Sequence, residues 1–216
     1  FNTIRKGNAV IEAQLDAGFE SGSGFREAFS RTFGEAPNKS RKALTFAMDW
    51  IDTPLGPMLA IADDTHLHML EFVERKKLQD HVDRYRKAFN ATVLPGDTKA
   101  LKLIRKELAD YFAGKNLDFK SKIAGAGTEF QNDVWDELRR VPPGVTRSYL
   151  EMAERIGRPT AVRAVANANR LNRCAIILPC HRVIGSDGTL TGYAGGLWRK
   201  QWLLDHERRH TGQTLL

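Results

Sequence analysis

A thiol and an imidazole stand side by side at Cys180 and His181, within residues 177–183 (ILPCHRV), with Arg182 next and no acid nearby in sequence. Such a cysteine has three readings: a nucleophile, a metal ligand, or the small buried hydrophobe that free cysteines usually are. The basic neighbours favour the thiolate, which is the nucleophilic form. If the segment is extended, adjacent side chains point to opposite faces, and His181 needs a turn or a bridging water to take the thiol proton. Cys174 lacks this company and is assigned to packing. These are the only two cysteines, and His66, His68, His81, His181, His206 and His210 follow no standard ligand spacing. No metal site and no cofactor is therefore expected.

The charge balance bears, weakly, on the kind of partner. The chain carries a formal charge of +7 and a pI near 9.5, which suits a polyanion, nucleic acid being the commonest. Its distribution is uneven: residues 155–186 hold six arginines (155, 158, 163, 170, 173 and 182) and no Asp or Glu. A solvated basic face is the bland alternative. With 216 residues and 42% hydrophobic content the chain can bury a core of one or two domains. It has no apolar run approaching the roughly 20 residues of a membrane span, and no signal-peptide pattern opens it. Two cysteines are too few for a disulfide scaffold, so a reduced, cytoplasmic setting is expected.

The elements that must hold these residues fall into three stretches. Residues 11–33 outline two helices around GFESGS, a helix-turn-helix pattern, and a linker follows near 36–44. From Leu44 to Phe72 short β-like runs broken by Pro54-Leu55-Gly56 and Asp63-Asp64 predict an antiparallel meander. Helices are predicted over 78–89 and 98–113, with a closing strand near 117–119. Then Phe130, Val134, Leu138 and Val141 recur at helical spacing up to Pro142-Pro143-Gly144. Ser148 caps the next helix, Gly157 stops it, and Pro159 stands near the start of another, giving a second helix-turn-helix candidate. Alanines 161, 164, 166 and 168 with Asn167 and Asn169 leave that last helix small-faced. It suits either a narrow nucleic-acid groove, with Arg163 projecting, or close packing. CAIILPCHRVIG reads as a short buried strand or extended segment ending at Pro179-Cys180, SDG at 186–188 as a turn, and TLTGYAGGL as a hairpin arm or wing. The final helix places Trp198, Trp202 and Leu203 on a core-facing stripe, with Glu207 beside it, free to turn inward toward a basic partner.

Residues 179–207, PCHRVIGSDGTLTGYAGGLWRKQWLLDHE, preceded by SYLEMAERIGRPTAVRAVANANRLNRCAIIL, closely resemble the O6-alkylguanine-DNA alkyltransferases, whose signature is Pro-Cys-His-Arg-Val. DTPLGPMLAIADD resembles the opening of that family's ribonuclease-H-like subdomain, and residues 1–42 resemble part of an AraC-type regulator, in the order of Ada-type proteins. The resemblance implies an α/β (α+β) fold in three parts: a helix-turn-helix fragment (1–42), the ribonuclease-H-like subdomain (43–125) and a winged helix-turn-helix alkyltransferase domain (126–216). It further implies that Cys180 takes the alkyl group from O6 of guanine, and from O4 of thymine, in a single irreversible turnover. His181 would receive the thiol proton through a water, and Glu207 would orient His181. Tyr149 would push the phosphate and donate to the leaving base, and Arg163 would fill the gap left by the flipped nucleotide. Asn172 would hold the active-site turn, while Val183 and Tyr193 line the base pocket, Lys200 supports it and Ser148 contributes at the DNA face. The partner so implied is double-stranded DNA, met through its minor groove by a monomer, with no membrane. Ala175 and Asn169 depart from the family's usual proline and small apolar or Met residue. A binding-only damage sensor, an alkylation-response transcription regulator and a Cys-His hydrolase are the rival readings.

Overall fold

The apolar alternation of LTFAMDWI makes the first strand, β1 (Leu44–Ile51), and two wholly buried runs, β2 (Met58–Ala62) and β3 (Leu67–Phe72), continue it as the expected antiparallel meander. In this computed structural model residues 44–76, 78–125 and 127–212 are described. The helix-turn-helix expected within residues 1–42 lies outside them. Register runs Ala47 to Ala62 and Ile51 to Met58 between the first two strands, and Met58 to Phe72 between the next two, with an irregularity at Ile61/Ala62.

The described residues divide into two compact units, 44–46 with 79–94 and 47–78 with 95–212. In the first, helix α1 (Leu78–Phe89) is amphipathic and buries Val82 and Tyr85. Phe46, Tyr85 and Phe89 form an aromatic cluster with ring centroids 4.5–6.3 Å apart. Strand β4 (Ala91–Pro95) follows α1 directly.

The second unit holds the site. Its core joins the meander to α2 (Lys99–Phe112), α3 (Glu129–Arg139), α4 (Tyr149–Arg155), α5 (Val162–Arg170) and α6 (Leu197–Thr211). Caps set the helix starts: Thr98 on α2, and full capping boxes Thr128/Gln131 on α3 and Ser148/Glu151 on α4. Gly157, at φ +71°, ends the α4 turn in a conformation that disfavours any side chain, and α5 follows. Trp135 fastens α3 to α5 by donating to the Ala168 carbonyl at 3.1 Å. A two-residue parallel pairing of β5 (Arg147–Ser148) with β6 (Val183–Ile184) fixes the start of α4 against the segment after Cys180.

Four expectations change. The strand near 117–119 is a loop, because the Asn116 side-chain amide takes both backbone groups of Asp118, donating to its carbonyl and accepting from its N–H, each at 3.1 Å. CAIILPCHRV is not a strand either. Only its start bridges β3, with Leu70 donating to Arg173 O and accepting from Ala175 N, each at 2.8 Å. The chain then reverses through a tight turn at Ile176, whose φ of +72° is rare for a β-branched residue. TLTGYAGGL forms no hairpin arm, because its carbonyls serve side chains of α6, Thr191 O accepting from Lys200 and Gly195 O from Arg199. Finally, Trp198 is 55% exposed rather than core-facing. The buried face of α6 instead carries Arg199, Lys200, Leu203, Leu204 and Glu207, whose charged heads all have partners inside.

Candidate active site

Cys180 begins a one-turn 3₁₀ helix, Cys180–Arg182, entered through Pro179 at φ −80°, ψ 58°. That backbone value and the 2.7 Å bond from Cys180 N to Leu178 O describe an inverse γ-turn, which proline's fixed φ favours. Two turns in succession, at Ile176 and Pro179, thus deliver the thiol to the wall of a cavity of about 570 Å³. Asn172 braces the delivery: its amide donates to Leu178 O at 2.8 Å and to Cys180 Sγ at 3.2 Å, and accepts from Cys174 N at 2.8 Å.

Burial pushes the Cys180 thiol above its ordinary value, against the pull of the Asn172 hydrogen bond and the charges of Lys200 and Arg75. The thiolate expected from neighbouring basic residues is therefore not the resting form, since Arg182 spends its charge elsewhere. Arg182 donates from Nε and Nη2 to the two oxygens of Glu207, both at 2.9 Å. His181 Nε2 meets Glu207 Oε1 at 2.7 Å, Tyr111 donates its hydroxyl to the same oxygen at 2.8 Å, and Gly144 N–H donates to Oε2 at 3.0 Å. Burial alone would push the Glu207 carboxyl up, but these partners, His181 and Arg182 above all, hold it well below the ordinary carboxylate range.

Burial lowers the His181 pKa more than Glu207 raises it, so the imidazole is neutral at neutral pH. Glu207, ionised, can only accept, so Nε2 carries the proton and Nδ1 keeps its lone pair. Nδ1 has no partner among the described residues. Next to Cys180 in the chain, then, stands an oriented imidazole with a vacant acceptor.

Lys200 is fully buried, and its ammonium donates to Val183 O at 2.6 Å and Thr191 O at 2.7 Å. Burial brings its pKa down to about 8. It thereby ties the strand after Cys180 to the loop that forms another part of the cavity wall. Gly195 in that loop has no room for a side chain, a Cβ there meeting Phe72 and Tyr193 at 2.8 Å. Tyr149, Arg163, Thr191 and Tyr193 line the cavity with Cys180, whereas Val183 is buried behind it and Ser148 serves as the α4 cap. The outer face of α5 exposes Arg163, Ala164, Asn167 and Arg170. Cys174 is buried, its thiol pushed up to about 12 by the same desolvation.

The comparisons with known proteins match this layout along its length. The family model of the 6-O-methylguanine DNA methyltransferase ribonuclease-like domain matches residues 48–124, and that of the same family's DNA binding domain matches residues 129–209. The chain belongs to the 6-O-methylguanine DNA methyltransferase family. A methylated-DNA–protein-cysteine methyltransferase of Methanosarcina barkeri is 42% identical over 166 residues, covering 75% of this chain and 97% of the relative. The enzyme of that name from Salmonella typhimurium is 42% identical over 163 residues, with 73% and 92% covered. The crystal structure of the O6-methylguanine methyltransferase of Mycobacterium tuberculosis superposes with a TM-score of 0.66 at 39% identity, covering 76% of this chain and 94% of that one. The M. tuberculosis protein solved in complex with DNA gives 0.65 at 38%, with 77% and 94% covered.

Three features of this methyltransferase were not visible as site residues in sequence. Tyr111 belongs by spacing to the apolar stripe of α2, with Leu101, Ile104 and Leu108, and nothing local marks its hydroxyl as a donor to Glu207. Gly144 enters through its backbone. Arg75 pairs with buried Glu71 and donates to the carbonyls of Asn172 and Arg170 at 3.0 and 2.8 Å, pinning the end of α5. Its signal was a glutamate inside the apolar run HLHMLEF with an arginine four residues later. Among the described residues no helix is long and apolar enough to cross a membrane.

Proposed function

We propose that this chain repairs DNA by moving an alkyl group from O6 of guanine onto Cys180, once per protein molecule. The observation that carries the reading is the thiol at the wall of a cavity of about 570 Å³, roomy enough to admit a nucleobase, with a neutral, Glu207-oriented imidazole next to it in the chain. His181 Nδ1 takes the thiol proton through a bridging water. The sulfur then forms a bond to the alkyl carbon, the carbon–O6 bond breaks with its electron pair returning to guanine, and the Tyr149 hydroxyl donates to the leaving base. No hydrolytic step converts the resulting thioether back to the thiol. O4-alkylthymine offers the same kind of carbon.

The target oxygen lies inside the duplex, so the nucleotide rotates into the cavity. The small, basic face of α5 enters the minor groove and Arg163 occupies the vacated stack. Asn172, Lys200 and Val183 support the pocket from outside its lining, and Tyr193 walls it. The division into a regulator-like fragment (1–42), a ribonuclease-H-like subdomain (43–125) and an alkyltransferase domain (126–216) assigns chemistry to the last. We place the protein in a bacterial cytoplasm, where its two free cysteines stay reduced.

The test is stoichiometric. Duplex carrying radiolabelled O6-methylguanine is titrated against the full chain, and label transfer is expected to stop at one methyl per protein. Transfer beyond one equivalent, or none, would contradict the reading.

A further inference from the structure

Two asparagines near the cavity differ in one respect. Asn172 has every amide group engaged, as described above. Asn169, in the last turn of α5, is 7% exposed and lines the cavity with Cys180, yet both its Nδ2 and its Oδ1 lack a partner among the described residues. Leaving a buried donor or acceptor unsatisfied costs about 1–3 kcal/mol. The surrounding side chains give no folding reason for that cost, since Val165 and Ala168 on the same helix are buried and apolar, and Val162 and Ala166 beside it line the cavity. An apolar side chain would suit the free fold better at this position. The Tyr193 hydroxyl, buried in the same cavity wall, is also without a partner among the described residues.

We propose that Asn169 is a specificity-determining residue of this pocket, its amide hydrogen-bonding the alkylated guanine that fills the cavity. This rests on the alkyl-transfer reading and extends it. A carboxamide presents one donor group and one acceptor in a plane, and O6-alkylguanine offers an amino donor and ring-nitrogen acceptors in its own plane. An oxygen within the alkyl group, as in a hydroxyethyl adduct, offers the same chemistry from a second source. The bond forms only with substrate bound, so Asn169 weakens the free protein and favours the loaded one.

The experiment uses the full chain as wild type, Asn169→Leu and Asn169→Ala. For each, the thermal midpoint is measured with the second-order rate of Cys180 alkylation by free O6-methylguanine, by duplex O6-methylguanine and by duplex O6-(2-hydroxyethyl)guanine. The expected result is an unchanged or raised midpoint for Asn169→Leu with transfer slowed by about tenfold, the worth of one hydrogen bond at the upper end. Equal slowing on all three substrates assigns the bond to the guanine edge, and slowing confined to the hydroxyethyl substrate assigns it to the alkyl oxygen. Wild-type rates on every substrate overturn the proposal, as does a loss of rate that follows a loss of stability in both variants. A wild-type protein that leaves Cys180 unmodified would instead sink the alkyl-transfer reading on which the proposal stands.

Discussion

The two sides of Cys180 are built on opposite principles. Behind it, Glu207 is fully buried and receives five hydrogen bonds, from Tyr111, His181, Gly144 and twice from Arg182. In front, the Asn169 amide and the Tyr193 hydroxyl have no partners among the described residues. A saturated buried network fixes geometry, because any rearrangement leaves a charge uncompensated. An unsatisfied one carries a cost that only an incoming group can remove. The difference teaches that this site invests its rigidity in orienting the base and leaves its recognition surface to be completed by substrate.

The comparison can be broken where the two sides meet, and the largest effect belongs there. Cys180→Ser replaces the sulfur by a far poorer nucleophile, and label transfer from alkylated duplex is expected to fall below detection. Glu207→Gln tests the saturated side. It leaves the Arg182 guanidinium without its counter-charge, which should cost about 3–5 kcal/mol in urea unfolding and also slow transfer. Because the folded carboxyl is held low, Glu207's contribution is fully present above the ordinary value of 4.5 and is lost only as pH falls through the lowered one. The gap between variant and wild type should therefore persist to acid pH. A variant as stable as wild type at pH 7 would mean that the network is not what holds the segment.

Arg163→Ala tests the open side. Transfer from duplex should slow by about tenfold or more, since unstacking a base costs a few kcal/mol, while attack on the free alkylated base stays unchanged. Equal losses on both would remove the stacking role. A smaller effect concerns pH. Burial lowers His181 below its ordinary 6.5, so the base stays unprotonated and the rate should hold as pH falls to that value, declining only below it. A decline centred above 6.5 would mean a charged, not a neutral, resting imidazole.

Much of this was legible in sequence because it is local. Ser148 and Thr98 sit at helix starts, Gly157 stops a helix, and the alternation of residues 44–72 gives the meander. The Cys-His-Arg triplet marked the site, and an acid on an apolar stripe marked Glu207 as inward-facing. What failed depended on distant partners. CAIILPC reads as a short strand or extended segment because apolar runs of that length usually are. Instead, Asn172 and Arg75 hold its flanks in turns that β3 pairing alone would not give. Arg182 reads as a charge beside the thiol until its carboxylate partner is brought in from α6, 25 residues away. The unpaired amide of Asn169 could not be read at all, since a missing partner is a property of the assembled cavity.

The central claim concerns one of two buried thiols. Cys174 is buried away from the cavity with its pKa near 12, whereas Cys180 lies at the cavity wall with an amide donor and a base. The most direct measurement is peptide mass mapping of the full chain after reaction with one equivalent of duplex containing O6-methylguanine. The account predicts a single added methyl on the peptide carrying Cys180 and none on that carrying Cys174. A methyl on Cys174, or on no cysteine, would contradict it.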